Sequence, residues 1–248
     1  MATDYSFLES FDAEQLIRWA VESFSDRFAI STSFQREGMV LIDMAARISN
    51  TIRVFTLDTG RLPEETYQII ETVRCRYGLP VELISPDPTE LGTMVKKHGP
   101  NLFYESVPLR NLCCHFRKVR PLERRMAGLR AWAVGLRRSQ SETREGLPKV
   151  AEVDGKLKLS PLADWTKEAV ESYNRKHDVP RHPLYAKGYT SIGCAPCTRA
   201  TLEGESERAG RWWWELDGQK ECGIHFSPDG PVQRTLDVLI HEVVEARS

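Results

Sequence analysis

The chain has 248 residues, 41% hydrophobic and 28% charged, with 34 Lys and Arg against 35 Asp and Glu. That composition is ordinary for a globular fold and suits one sizeable domain, or one domain with a functional tail. A net charge of −1 argues against general nucleic-acid affinity, and no apolar run approaches the roughly 18 residues that a membrane span requires. The segment MATDYSFLESFDAEQ is acidic and lacks an apolar core, so no secretory signal is expected and a cytoplasmic location follows.

Residues 11–25 place Leu16, Ile17, Ala20, Val21 and Phe24 on one helical face. A strand is expected over residues 27–33, ending in the polar turn STSFQREG, after which helical periodicity resumes in MVLIDMAARI. The next strand, 52–57, runs into Asp58-Thr59-Gly60, and a helix is expected over 64–77. Residues 81–84 and 132–136 read as further strands, and residues 165–177 as a helix. Strands alternating with helices predict an α/β fold: a mostly parallel sheet covered by helices on both faces. After Pro183 the texture turns to Gly, Pro, aromatic and polar residues, a loop-rich C-terminal tail. The last stretch, QRTLDVLIHEVVEARS, has the pattern of an amphipathic helix.

In such a fold, ligands bind beyond the carboxyl ends of the strands. Ser31-Thr32-Ser33, Asp58-Thr59-Gly60 and Arg137-Arg138-Ser139-Gln140 all follow strand candidates, although small polar residues there also cap helices. Between Arg110 and Arg144 ten Arg or Lys stand against only Glu123 and Glu142. Such a run is commonly a solvated helix face; beside a cysteine pair it favours a small polyanionic ligand over a duplex.

Six cysteines occur: Cys75, Cys113, Cys114, Cys194, Cys197 and Cys222. In a chain of this length without secretory features they point to metal binding or redox catalysis rather than a disulfide framework. Cys113-Cys114 and Cys194-Ala195-Pro196-Cys197 are the strongest chemical signal. Adjacent cysteines suit tetrahedral zinc poorly, whereas a 4Fe–4S cubane offers a separate iron to each sulfur. Zinc and a redox disulfide stay open as alternatives. Cys222 stands apart in KECGIH with charged neighbours, a glycine and a histidine, the setting of an exposed, reactive thiol. Cys75, in ETVRCRYGL, has no such setting and reads as structural.

CCHFRKVRPL (113–122) resembles the CC-x-x-RKV-x-PL segment of assimilatory adenylylsulfate reductases, within the sulfonucleotide reductase family. SIGCAPCT (191–198) resembles that family's second cysteine pair, and ECGIH (221–225) its ECGLH tail with Ile for Leu. LDTG (57–60), GLRR (135–138) and PLADWT (161–166) match in kind and order. The resemblance covers about residues 20–225; residues 34–38 follow the family's phosphate-loop pattern only loosely.

The resemblance implies an adenine nucleotide alpha hydrolase-like fold. It divides the chain into a nucleotide-binding α/β domain, 1–190, holding the first cysteine pair, and a segment 191–248 with the second pair and a mobile catalytic tail. It implies one 4Fe–4S cluster on Cys113, Cys114, Cys194 and Cys197, with Cys222 as nucleophile and Lys118 between cluster and substrate. Ser31, Thr32, Ser33, Asp58, Gly60, Arg137, Gln140, Arg144, Arg208, Arg211 and His225 would surround the nucleotide and sulfate. Thioredoxin or a similar dithiol protein would be the partner, with no nucleic acid or membrane, and a homo-oligomer stays open. Competing readings are reduction of the 3′-phosphorylated sulfonucleotide or of both, a tRNA-thiolating pyrophosphatase, and a non-catalytic iron–sulfur regulator. The pyrophosphatases carry a Gly-Gly-x-Asp-Ser type loop, and residues 31–38 contain neither Gly-Gly nor Asp.

Overall fold

A computed structural model describes residues 4–141, 144–215 and 230–246. Cys222 and His225 lie outside the described residues. The described strands form one sheet in the order β3-β2-β1-β4-β6-β5. These strands are β1 (Phe28–Ser31), β2 (Arg53–Leu57), β3 (Val81–Ile84), β4 (Ala131–Val134), β5 (Val150–Val153) and β6 (Lys156–Leu159). β1 runs parallel to β2 and β4, and β4 parallel to β6, while β5 closes the edge antiparallel to β6. The mostly parallel sheet is therefore as expected, and the β5–β6 hairpin is an addition to it. Its turn is Asp154-Gly155, both at positive φ (50° and 70°), the backbone a two-residue hairpin requires.

By compactness the chain forms two units. The first comprises the residues up to Thr56, Pro63–Glu82 and Gly128–Ile192. It holds helices α1 (Ala13–Phe24), α2 (Arg36–Ile48), α3 (Glu64–Tyr77) and α7 (Lys167–Lys176). α1 starts at a capping box: Asp12 accepts from the Gln15 N–H, and the Gln15 side chain accepts from the Asp12 N–H. Its apolar stripe, Leu16, Ile17 and Ala20, is buried with Phe28 and Ile30 of β1, Val40 and Leu41 of α2, and Val54 of β2.

The second unit comprises Leu57–Leu62, Leu83–Ala127 and the described residues from Gly193 onward, so both cysteine pairs belong to it. It holds α4 (Pro88–His98), α5 (Val107–Cys114), α6 (Arg120–Met126) and α8 (Gly230–Glu245). α8 is the expected amphipathic helix. It buries Leu236 and Val243 in a cluster with Met94, Leu102, Leu112, Phe116, Trp212 and the four cysteines 113, 114, 194 and 197. Lys97 of α4 pairs with Glu242 of α8 at 2.6 Å. Among the described residues no helix is long and apolar enough to cross a membrane.

Candidate functional site

The second unit builds its cysteine site on one helical run. α5 passes through a widened turn, His115–Val119, directly into α6, with helical backbone at both junctions. Widened turns of this kind occur frequently at functional positions. Arg110, Cys113, Cys114, Arg117 and Lys118 follow the i, i+3, i+4, i+7, i+8 spacing of a single helix face, and all five line one cavity. The adjacent cysteines thus straddle the middle of a face.

Arg61, Phe103, Cys194, Pro196 and Cys197 complete the lining. Cys194 precedes the tight turn Ala195–Cys197, and the Ala195 N–H donates to the Arg61 carbonyl at 2.8 Å. The Thr59 hydroxyl lies 3.2 Å from Cys194 Sγ, and Arg117 Nη1 donates to the Thr59 carbonyl at 2.6 Å. Asp58 Oδ1 accepts the Gly60 N–H at 2.9 Å, and Gly60 sits at φ +65°, where a side chain would be strained. Asp58 and Gly60 therefore shape the loop that holds Thr59 against the second cysteine pair.

Residues after the second pair are tied back to it. Thr198 and Arg211 form an antiparallel bridge, and the Trp212 N–H donates to the Cys197 carbonyl at 3.2 Å. Arg211 is buried, and a Cβ at Gly193 would overlap its guanidinium. Trp212 is fully buried, with the guanidinium carbons of Arg110 and Arg211 each 4.7 Å from its ring. Arg208 is half-buried.

All four thiols are buried. Burial pushes the Cys113 thiol up, opposed by Arg117 and Lys118. Burial pushes Cys197 up to about 12, reinforced by Cys194 and opposed by Lys118 and Arg211. Arg117 Nε and Trp212 Nε1 are among the buried donors of this unit that have no hydrogen-bond partner among the described residues. Nor do three His, Cys, Asp or Glu side chains there converge on a single-ion site.

In the first unit, β1 and β4 are parallel neighbours, so Ser31-Thr32-Ser33 and Arg137–Gln140 leave the same end of the sheet. Thr32 is buried and its Oγ1 accepts the Phe34 N–H at 2.9 Å, with Phe34 at φ +56°. Gly38 presses against Thr32, and a Cβ at Gly135 would meet the Glu37–Gly38 backbone at 2.8–2.9 Å. Arg137 is 1% exposed. Its Nε donates to Glu37 at 2.8 Å and its Nη1 to Ser139 at 2.7 Å. Gln140 Oε1 accepts from the Arg137 N–H and from Arg144. Ser31, Thr32, Ser33, Arg137, Gln140 and Arg144 thus belong to the first unit, and Asp58, Gly60, Lys118, Arg208 and Arg211 to the second with the cysteines.

Among the cavity residues, Arg61, Phe103, Arg110 and Arg117 were given no role from the sequence. Arg110 carried a signal, the helical spacing it shares with both cysteines. Cys75 is not structural as expected: it is exposed, because α3 buries Thr66, Ile69, Ile70 and Val73 and position 75 lies off that face. Its thiol donates to Glu71 at 3.3 Å, which pushes its pKa up.

Residues 27–200 match the family model described as the phosphoadenosine phosphosulfate reductase domain. An adenosine 5′-phosphosulfate reductase of Allochromatium vinosum is 48% identical over 83% of this chain and 82% of its own length. The chloroplastic 5′-adenylylsulfate reductase 3 of Arabidopsis thaliana is 43% identical over 88% of this chain and 49% of its own. Among solved structures, a phosphoadenylyl-sulfate reductase from Candida auris superimposes with a TM-score of 0.67 at 25% identity, over 79% of this chain and 98% of that one.

Proposed function

The chain belongs to the phosphoadenosine phosphosulfate reductase domain family, and from that premise we propose that it reduces adenosine 5′-phosphosulfate to sulfite, releasing AMP. The observation that carries this reading is the cavity where four buried cysteines meet Arg61, Arg110, Arg117 and Lys118. The relatives named above for the unphosphorylated ribose support that substrate over the 3′-phosphorylated one.

Cys113, Cys114, Cys194 and Cys197 fit a 4Fe–4S cluster. They are soft donors in one apolar cluster of side chains, bordered by cations, with the unused donors Arg117 Nε and Trp212 Nε1 in the same unit. When bound, a cluster would be held by these four thiolates, tying the two cysteine segments together, and would supply local charge.

The chemistry belongs to Cys222. Its thiolate attacks the sulfate sulfur, the bond from that sulfur to the bridging phosphate oxygen breaks, and AMP leaves with the electron pair. Cationic groups, Lys118, Arg208 and Arg211 among them, offset charge on the sulfonyl and phosphate oxygens as it develops. Ser31, Thr32, Ser33, Asp58, Gly60, Arg137, Gln140, Arg144 and His225 are proposed to shape or contact the nucleotide site. The product is an S-sulfocysteine. A thiolate of a thioredoxin-type dithiol then attacks Cys222 Sγ, expelling sulfite and forming a mixed disulfide. The partner's second thiol cleaves that bond, so its two electrons end on sulfite and Cys222 is regenerated.

A side-by-side assay of the two sulfonucleotides with reduced thioredoxin, measuring sulfite, tests the reading. A higher kcat/KM is expected for the unphosphorylated form. A tenfold preference for the 3′-phosphorylated form, about 1.4 kcal/mol of transition-state binding, would overturn it.

A further inference from the structure

Phe103, Tyr104, Trp213 and Trp214 form one continuous aromatic array in the second unit. It starts at Phe103, which lines the cysteine cavity, and reaches Tyr104 at 4.6 Å between centroids. Tyr104 meets Trp214 at 4.5 Å, and Trp214 meets Trp213 at 4.8 Å in an edge-on contact. The array is exposed at Tyr104, 46%, and at its far end, Trp213, 39%. It is also anchored at two points. The Tyr104 hydroxyl donates to the Pro196 carbonyl at 2.9 Å, inside the turn between Cys194 and Cys197. Directly after Trp214, Glu215 is locked to Arg110 at 2.7 Å.

We propose that this aromatic surface is the docking site for the dithiol protein that reduces Cys222. The proposal rests on the function given above, and chain length selects the occupant. Cys222 is seven residues beyond the anchored Glu215, and an extended chain covers at most about 25 Å in that interval. A dithiol domain of ~100 residues has a radius of gyration of about 13 Å. A partner with its thiolate at Cys222 Sγ is therefore large enough to reach the surface beside Trp213 and Trp214. Rigid aromatic rings held before binding are what dominates interface energetics, because they bury large apolar area at little entropic cost. Small-molecule dithiols need no such surface.

The experiment uses the full-length, cluster-loaded protein and the variants Trp213→Ala and Tyr104→Ala/Trp213→Ala, with Val238→Ser as a control at an exposed apolar position on α8. Turnover is measured against reduced thioredoxin and, separately, dithiothreitol; adduct formation on Cys222 is followed by mass, and assembly by sedimentation. Trp213→Ala should raise the KM for thioredoxin about tenfold, as loss of an interface anchor does. Turnover with dithiothreitol and the rate of adduct formation should match the wild type, as should Val238→Ser throughout. Trp213→Gln is the substitute should the alanine variant fold poorly. An unchanged thioredoxin KM would overturn the proposal. So would slowed adduct formation, which would mean that the array seats this chain's own segment or the substrate. Dissociation of an oligomer would give the surface to a second copy and overturn it equally. A wild-type protein that forms no adduct refutes the underlying function instead, and is visible before any variant is compared.

Discussion

Arg110 and Glu215 form a buried ion pair, 2.7 Å between Nε and Oε1, with side chains only 4% and 9% exposed. One partner comes from the helix that carries Cys113 and Cys114, and the other stands seven residues before Cys222. The pair therefore fixes Glu215 on the helix bearing the first cysteine pair. Removing one partner strands a buried charge, which costs about 3–5 kcal/mol. Glu215→Ala should lower stability by that amount in urea unfolding, and Glu215→Gln by less because its amide oxygen still accepts. An alanine variant within 0.5 kcal/mol of wild type would contradict the burial.

A second buried pair sits in the first unit. Arg137 engages Glu37 and Ser139, one hundred residues and two residues away in sequence. Arg137→Lys should not restore the Arg137→Ala loss, because a lysine supplies neither the planar fork nor both contacts. The expected cost of the alanine variant is again about 3–5 kcal/mol, read by denaturant midpoint. Full rescue by lysine would show that charge alone matters there.

His182 sets a pH window. It is buried, its Nδ1 accepts the Leu184 N–H, and its Nε2 lies 3.1 Å from the Thr66 hydroxyl. Burial depresses its pKa from 6.5 to about 4. Between those values the unfolded chain binds more protons than the folded one, so stability is full above about 6.5 and falls as pH drops towards 4. The loss is on the order of 3 kcal/mol at about 1.4 kcal/mol per unit. His182→Gln should flatten that part of the stability–pH profile. An unchanged slope between pH 6.5 and 4 would assign the dependence to other groups.

Iron content tests the cysteine cavity. Protein purified without oxygen should be brown and carry about four irons and four sulfides per chain. Cys113→Ser and Cys197→Ser should each lower the iron content, and Cys75→Ser should leave it unchanged. Stoichiometric zinc without visible absorbance would replace the cluster by the alternative metal.

Much of this was legible before the fold. The sequence pattern located α1, α2, α3, α7 and α8 and the strands β1 to β4, through regular apolar faces and short apolar runs. α4 was missed although its ends are well marked, with Asp87 accepting at the N-cap, Pro88 following it and Lys96, Lys97 and His98 in the last turn. Its apolar residues are too few to show a period. The β5–β6 hairpin was missed despite Asp154-Gly155, because its strands are interrupted by Glu152, Lys156 and Lys158 and bury only Leu157 and Leu159 fully. At the site, spacing identified the two cysteine pairs and the basic run but not the helix face that joins Arg110 to both cysteines. The burial of Arg137 was illegible, since it depends on a glutamate one hundred positions away. Cys75 went wrong because its surroundings in sequence do not report which side of α3 it occupies.

The central claim is that Cys222 carries sulfur from nucleotide to reductant. Its most direct test is the intact mass of the protein after exposure to adenosine 5′-phosphosulfate without a dithiol. A gain of about 80 Da, one SO₃ group on a nucleophilic thiolate, is predicted on the peptide containing Cys222. Reduced thioredoxin should remove it with stoichiometric release of sulfite. A gain mapped to Cys113 or Cys197, or a Cys222→Ser variant with wild-type turnover, would contradict the mechanism.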